Sequence, residues 1–456
     1  MKKIDVDVIV LGLSHAGGFF AKEAAKLLAH INNEHMRFNM YLYDSQDVDE
    51  EDLAVSAFLP EDVEWNRAAV LGSILCSTYK SLYLQAYATD FDSHAAVTYR
   101  RDKGFYADHF RIVFDFSKDT VKDGTRELWK SSNNIQVIRP QKDGVRVYPK
   151  YAGVVKRAYR KAVAKQGNSI AESLQIARIC LGILVNITEN HLRDEDIPYT
   201  EYSAGEKFCN NADSWLVVCV GTGGTGGNFC KELPHLMLQN KKISLLMIDG
   251  DRVEEKNVKR QPFSGRDMMQ NKAEILRKDL EIDYPDIKGR LFSCPYYMDK
   301  TEDLENAIAG CGGKYDHVLL VGGVDNHAAR RVMQQYHQRQ EESVYMDSAN
   351  EWSNGECVIA IRSNGIDYSP VRSFYFPDVL TDNSPSASQI SCGAINESAP
   401  QHQLTNLTAA QCLFANIVPL LTKGIIHGGI AYFDAFKSFM RFQPVTLKMI
   451  KEAAYG

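Results

Sequence analysis

Residues 215–273 constrain this chain more than any other stretch. Trp215 to Val220 is an unbroken apolar run of strand length, after which the chain passes through Gly221, Gly223, Gly224, Gly226 and Gly227 into a helical pattern. A second apolar run, Ile243 to Ile248, ends on Asp249. That order predicts a βαβ unit with buried parallel strands. Glycines let backbone approach a phosphate, the helix behind them supplies oriented N–H groups, and an acid at the end of the second strand can accept from ribose hydroxyls. Taken alone, Gly221-x-Gly223-x-x-Gly226 fits many nucleotide sites, including those of dinucleotide-dependent oxidoreductases.

With 456 residues, the chain has room for two or three domains, each with its own core. A net charge of −6 and a pI near 6.1 argue against a nucleic-acid surface. Asp5 and Asp7 break up the apolar stretch a signal peptide needs, and no uninterrupted apolar segment approaches bilayer length. The expectation is a cytoplasmic protein with no membrane segment. Its ten cysteines include no C-x-x-C pair, so reduced thiols are expected and a four-cysteine structural zinc site is not. Cys180, Cys219 and Cys230 sit in apolar patterns that suit core filling.

The start of the chain repeats the central stretch. Val6 to Leu11 reads as a strand, Gly12 to Gly18 as a turn, Phe19 to Ala29 as a helix, and Phe38 to Tyr43 as a strand ending on Asp44. Gly12, Gly17 and Gly18 fall on Gly221, Gly226 and Gly227; Asp44, Asp62 and Asn66 fall on Asp249, Asp267 and Asn271. Further on, Asp108 to Val113 falls on Asp316 to Val321, and the helical pattern Ala171 to Val185 on Ala409 to Leu421. Two divergent α/β domains follow, 1–200 and 201–456. The copies differ at polar positions: Gly223-Gly224 becomes Ser14-His15, Asp251 becomes Gln46, Arg260-Gln261 becomes Val55-Ser56, and Asp325 becomes Ser117, while Lys272 keeps a basic counterpart in Arg67. The first copy is therefore expected to keep the fold without the chemistry. Its basic segment, His94 to Lys103 with Tyr99-Arg100-Arg101, reads as a solvated loop.

Asp249-x-Asp251-x-Val253, then Asn257, Arg260-Gln261, Phe263, Asp267, Lys272 and, after another apolar run, Asp325-Asn326, resembles the ThiF/MoeB/ubiquitin-activating-enzyme superfamily. The resemblance implies two Rossmann-like ThiF-type adenylation domains forming a pseudo-dimer, one inactive and one active, each with a mostly parallel sheet flanked by helices. It further implies an ATP site built from Gly221, Gly223, Gly224, Gly226, Asp249, Asp251, Asn257, Arg260, Gln261, Lys272, Asp325 and Asn326. In it Asp249 would hold the ribose, Arg260 and Lys272 the phosphates, and Asp325 a Mg²⁺ ion. Those residue types suit activation of a carboxylate, in which the α-phosphorus must face an attacking oxygen while charge on the pyrophosphate is neutralised.

Relatives that go beyond adenylation pass the acyl group to a cysteine on a crossover segment. Here the crossover loop is about 376–402; its segment Asp378 to Ser391 is polar and leads directly to Cys392, and the tract from Cys392 to Pro400-Gln-His-Gln resembles the cysteine tract of ubiquitin-like activating enzymes, with Gly393 in place of the usual threonine. A loop thiol is accessible in a way a strand thiol is not, so Cys392 is the expected nucleophile and Cys412 the expected core residue. The implied partners are a ubiquitin-like β-grasp protein with a free C-terminal glycine and a conjugating enzyme, with no nucleic acid or membrane, and a homodimer is left open. The implied setting is like that of bacterial ubiquitin-like operons linked to antiviral defence. The alternative is adenylation of a sulfur-carrier protein, a peptide or a tRNA base with no cysteine step. A third reading, an oxidoreductase or nucleotide-sensing scaffold, leaves Arg260, Lys272 and Asp325 without work.

Overall fold

The computed structural model describes residues 4–31, 36–96, 99, 109–117, 135–141, 144–149, 158–160, 170–188, 206–209, 213–382 and 401–445. Cys392 and the tract that follows it as far as Pro400 lie outside the described residues, as do Arg100, Arg101 and Lys103. The chain divides into two compact units, Met1–Tyr199 and Thr200–Gly456.

In the first unit the strands are β1 (Ile4–Leu11), β2 (Met36–Tyr43), β3 (Tyr83–Tyr87), β4 (His109–Asp115), β5 (Ile135–Gln141), β6 (Gly144–Pro149) and β7 (Ala158–Arg160). Its principal helices are α1 (Ala16–Ile31), α2 (Arg67–Thr78) and α3 (Ile170–Thr188). The sheet order is β3-β2-β1-β4-β5-β6-β7, parallel as far as β5 and antiparallel beyond it. Tyr99 is not in a solvated loop: it is buried, its hydroxyl donates to Asp7, and Arg111 Nε donates to that hydroxyl at 3.2 Å. An aromatic ring that can settle against Tyr41 and Phe91 gains more from burial than from exposure.

The second unit contains β8 (Glu206–Lys207), β9 (Trp215–Val220), β10 (Ile243–Ile248), β11 (Leu291–Cys294), β12 (His317–Gly322), β13 (Ser343–Asn350), β14 (Asn354–Ser363), β15 (Ile366–Ser369), β16 (Ile425–Ile426), β17 (Gly429–Asp434) and β18 (Phe439–Pro444). Helices α4 (Gly224–Glu232), α5 (Lys272–Asp283), α6 (His327–Arg339) and α7 (Gln403–Lys423) flank its main sheet. That sheet runs β11-β10-β9-β12-β13-β14-β17-β18, again parallel as far as β13 and antiparallel after it. The order 3-2-1-4-5-6 thus occurs in both units.

β9 and β10 are buried at every residue, which is why their sequences show no polar alternation: both sheet faces are covered. Leu216, Val218, Val220, Leu246 and Ile248 share one face with Val332, Met333 and Tyr336 of α6. α7 packs on α4, β13 and β14, with Phe414 edge-on to Phe229 at 6.4 Å. α7 also corrects the expectation that no segment is long and apolar enough to span a bilayer. It has that length and composition, and most of it is buried inside the unit. Cys412, expected in the core, is fully buried there.

Candidate active site

The link between β9 and α4 is tighter than its sequence implies. Gly221 takes φ +83°, a left-handed value that glycine adopts without strain, and its N–H donates to Ile248 O at 2.8 Å. The helix starts at Gly224, so Gly226 and Gly227 lie inside α4 and not in the turn. A Cβ on Gly226 would fall 1.9 Å from Gly221 O, so this glycine is required by the closeness of helix and turn. Asp249 latches the turn. Its Oδ2 accepts from Thr222 N at 2.7 Å and Thr222 Oγ1 at 3.2 Å, and its Oδ1 accepts from Asp251 N at 2.9 Å.

A cavity of 310 Å³ opens at the C-terminal ends of β9, β10, β12 and β13, where open α/β sheets bind ligands. Gly221, Gly223, Gly224, Asp249, Asp251, Arg260, Gln261, Lys272, Asp325 and Asn326 all line it. Gly226 and Asn257 do not. Asn257, expected as a pocket contact, is a buried brace. Its Oδ1 accepts from Glu254 N at 2.9 Å, and its carbonyl accepts from Arg260 N at 3.1 Å and Gln261 N at 2.8 Å. It shapes the loop that carries Arg260 without reaching the cavity.

Lys272 opens α5 behind the N-cap Asn271, and its Nζ is 2.8 Å from Asp251 Oδ2. Tyr297 donates its hydroxyl to Asp251 Oδ1. Burial pushes the Lys272 ammonium down, but Asp249 and Asp251 outweigh it and hold the group above its ordinary value. Burial likewise pushes Asp251 up, and Lys272 outweighs it, so Asp251 ends below the usual carboxylate value. Asp249 is raised, chiefly by burial. Burial lowers Arg260, with Asp325 acting against it. Asp325 is exposed at the cavity wall, and Asn326 beside it caps α6 by accepting from Ala329 N at 2.8 Å. The cavity therefore holds three cations, Arg260, Lys272 and Arg330, among five carboxylates, Asp249, Asp251, Asp299, Asp325 and Glu351; the cations suit a polyphosphate, and the exposed Asp325 suits a divalent cation.

Sequence reasoning missed Tyr296 and Tyr297 at the rim, Arg330, and the group Asn350 and Gln401 on the far wall. No short motif marks them, because they come from loops, a strand end and helix α6 that only the fold brings together. A separate group, Cys209, Asp213 and His317, lies at the opposite ends of β9 and β12 with donor atoms within 4.8 Å of one another. His317 Nε2 and Asp213 Oδ2 are in direct contact there at 2.9 Å.

The first unit repeats the scaffold and alters the site. Asp44 accepts from Leu13 N at 2.6 Å and Gln46 N at 2.9 Å, as Asp249 does from Thr222 and Asp251. Asn66 caps α2 and donates to Asp44 O and Gln46 O, as Asn271 does to Asp249 O and Asp251 O. Where the second unit has Asn257, the first has Asp52, a buried carboxylate that accepts from Ser14 Oγ at 2.6 Å and Arg67 Nε at 2.7 Å. The turn hydroxyl and the basic residue are both committed to an internal anion.

The ThiF family profile matches residues 200–427, half of the chain. The chain belongs to the ThiF family. No curated protein matches it in sequence. Among solved structures it is similar to E. coli MccB with MccA-N7isoASN, at 16% identity and TM-score 0.37, covering 51% of this chain and 65% of that one. E. coli MccB with ATP gives 16% identity, TM-score 0.37, and coverage of 51% and 64%. Selenomethionine PaaA gives 14% identity, TM-score 0.36, and coverage of 52% and 74%. The chain thus spans just under two thirds of the MccB length.

Proposed function

We propose that this ThiF-family chain adenylates the C-terminal carboxylate of a ubiquitin-like β-grasp protein and then loads it on Cys392 for transfer to a conjugating enzyme. The observation that carries the adenylation step is the single cavity in which Arg260, Lys272 and Asp325 meet beside the Gly221–Gly224 turn. A carboxylate oxygen attacks the α-phosphorus of ATP, the bond to the pyrophosphate oxygen breaks, and pyrophosphate leaves. Arg260 and Lys272 would hold the triphosphate and offset the charge that builds on the leaving group. Asp325 is an exposed hard oxygen donor at the same wall, which fits a Mg²⁺ ion. When bound, that ion would supply further neutralisation of phosphate charge. In the second step the Cys392 thiolate would attack the acyl carbon, releasing AMP and leaving a thioester.

The first unit is read as a degenerate copy of the second. The matching sheet orders and the matching bonds around Asp44 and Asp249 support a duplication, and the Asp52–Arg67 pair supports loss of the first site.

The alternative reading is adenylation of a sulfur carrier, peptide or tRNA base with no cysteine step. The two readings part in one experiment. ATP–pyrophosphate exchange is measured with β-grasp proteins ending in glycine, using wild type and Cys392→Ala. Exchange in both, with a thiol-sensitive adduct only in wild type, supports the thioester. Exchange without an adduct in either leaves adenylation alone. Tight NAD binding with no ATP binding would return the chain to the oxidoreductase class.

A further inference from the structure

Arg260 belongs to a closed ring of hydrogen bonds that the family motif does not include. Its Nη1 donates to Gln401 Oε1 at 3.4 Å, and Gln401 Nε2 donates to Asn350 O at 3.1 Å. Asn350 Nδ2 donates to Asn406 Oδ1 at 2.9 Å, and Asn406 Nδ2 donates back to Arg260 O at 3.0 Å. The ring joins the loop before α5, the end of β13 and the first turn of α7. Asn406 is fully buried, and its amide fills the space over Gly224 so closely that a Cβ there would lie 2.3 Å from Nδ2. Thr225 Oγ1, on the same turn, is 3.2 Å from Asn350 Oδ1.

The two bonds that Arg260 makes in this ring differ in kind. Its carbonyl is held at ordinary hydrogen-bond length by a buried amide, whereas its guanidinium meets a neutral acceptor at the long end of the range. A phosphate oxygen makes a shorter, charge-assisted bond to guanidinium and displaces an amide oxygen readily. The backbone is therefore pinned while the charged end stays free to change partner. Burying Asn406 without these partners would be costly, so the ring also fixes the first turn of α7 against the glycine turn.

We propose that Asn406, with Asn350, is a positioning residue for Arg260, and that Gln401 is an exchangeable acceptor that parks the guanidinium until the triphosphate takes it. This rests on reading the cavity as an ATP site. Asn406 acts on the phosphates only through Arg260, by setting where its backbone lies. Gln401 competes with the phosphates and does not assist them.

A double-mutant cycle on the full chain tests this, with equilibrium binding of ATP and of adenosine as the two readouts. Asn406→Ala is expected to weaken ATP binding roughly tenfold and to leave adenosine within about twofold. In an Arg260→Ala background the same change has no further effect on ATP, because the group it positions is gone. Asn350→Ala follows Asn406→Ala, and Gln401→Ala leaves ATP affinity unchanged or tighter. Additive losses in the cycle, or equal losses for ATP and adenosine, reduce Asn406 to a folding role and overturn the proposal. If Asn406→Ala does not fold, a tenfold loss of ATP affinity in Gln401→Ala alone still overturns it. Wild type that binds adenosine but not ATP defeats the ATP reading and the proposal together.

Discussion

Lys272 and Asp251 hold each other at the cavity wall, with Tyr297 on the carboxylate's other oxygen. Removing the lysine would therefore do two things: delete a proposed phosphate partner and leave Asp251 without its ion pair in the site. Lys272→Ala is expected to weaken ATP binding between about tenfold and a hundredfold, read by nucleotide titration. Asp325→Asn should behave differently, since in the proposed reading its carboxylate would hold a metal ion and make no direct contact with the nucleotide. Pyrophosphate exchange should fall on the order of a hundredfold or more, while metal-free ATP binding stays within a few fold. Equal losses in both assays would remove Asp325 from the metal role. Asp249 shows the limit of reading a role from a position. Its carboxylate accepts backbone N–H groups at the turn, and Asp44 does the same in a unit that lacks the cationic pair. Any ribose contact is added to that structural work.

At the scale of the element, the β9–α4 junction explains why its glycines are not equivalent. A Cβ on Gly226 would meet Gly221 O at 1.9 Å, but one on Gly223 would meet Gln261 at 3.5 Å, an ordinary contact. Gly226→Ala should destabilise the second unit by about 1–3 kcal/mol or prevent its folding, seen in chemical denaturation. Gly223→Ala should fold normally and lose nucleotide affinity, because it narrows the cavity wall. The strands and this turn were legible because buried parallel strands and glycine spacing are local patterns. The start of α4 was not, since the requirement for Gly226 and Gly227 comes from packing between segments.

At the scale of the whole molecule, the two units carry one sheet order and two different charge arrangements. Asp52 occupies Ser14 and Arg67 in the first, so calorimetry should find one ATP per chain, and a stoichiometry of two would contradict the proposed loss of a site there. Stability should also respond to acid. His337 of α6 is buried, and that burial lowers its pKa from 6.5 to about 4. A histidine kept neutral by folding contributes stability that is complete above pH 6.5 and is lost as pH falls toward about 4, because the unfolded chain takes up the proton first. The loss should be on the order of 3 kcal/mol across that window, and His337→Gln should flatten the denaturation midpoint over the same range.

Sequence alone determined the α/β class, the repeated strand–glycine turn–helix–strand order and most of the cavity's charged residues, because each is written in a contiguous run with its own spacing. Asp249, Arg260 and Lys272 belong to one such run, and it leads to the family. Tertiary structure decided what surrounds them. Asn257 turned from ligand contact to brace, and Tyr99 from loop to core. The ring of Gln401, Asn350 and Asn406 closed on Arg260 from segments up to 146 positions distant. Hydrogen bonds across such separations depend on where whole strands and helices settle, and no local pattern of residues encodes them.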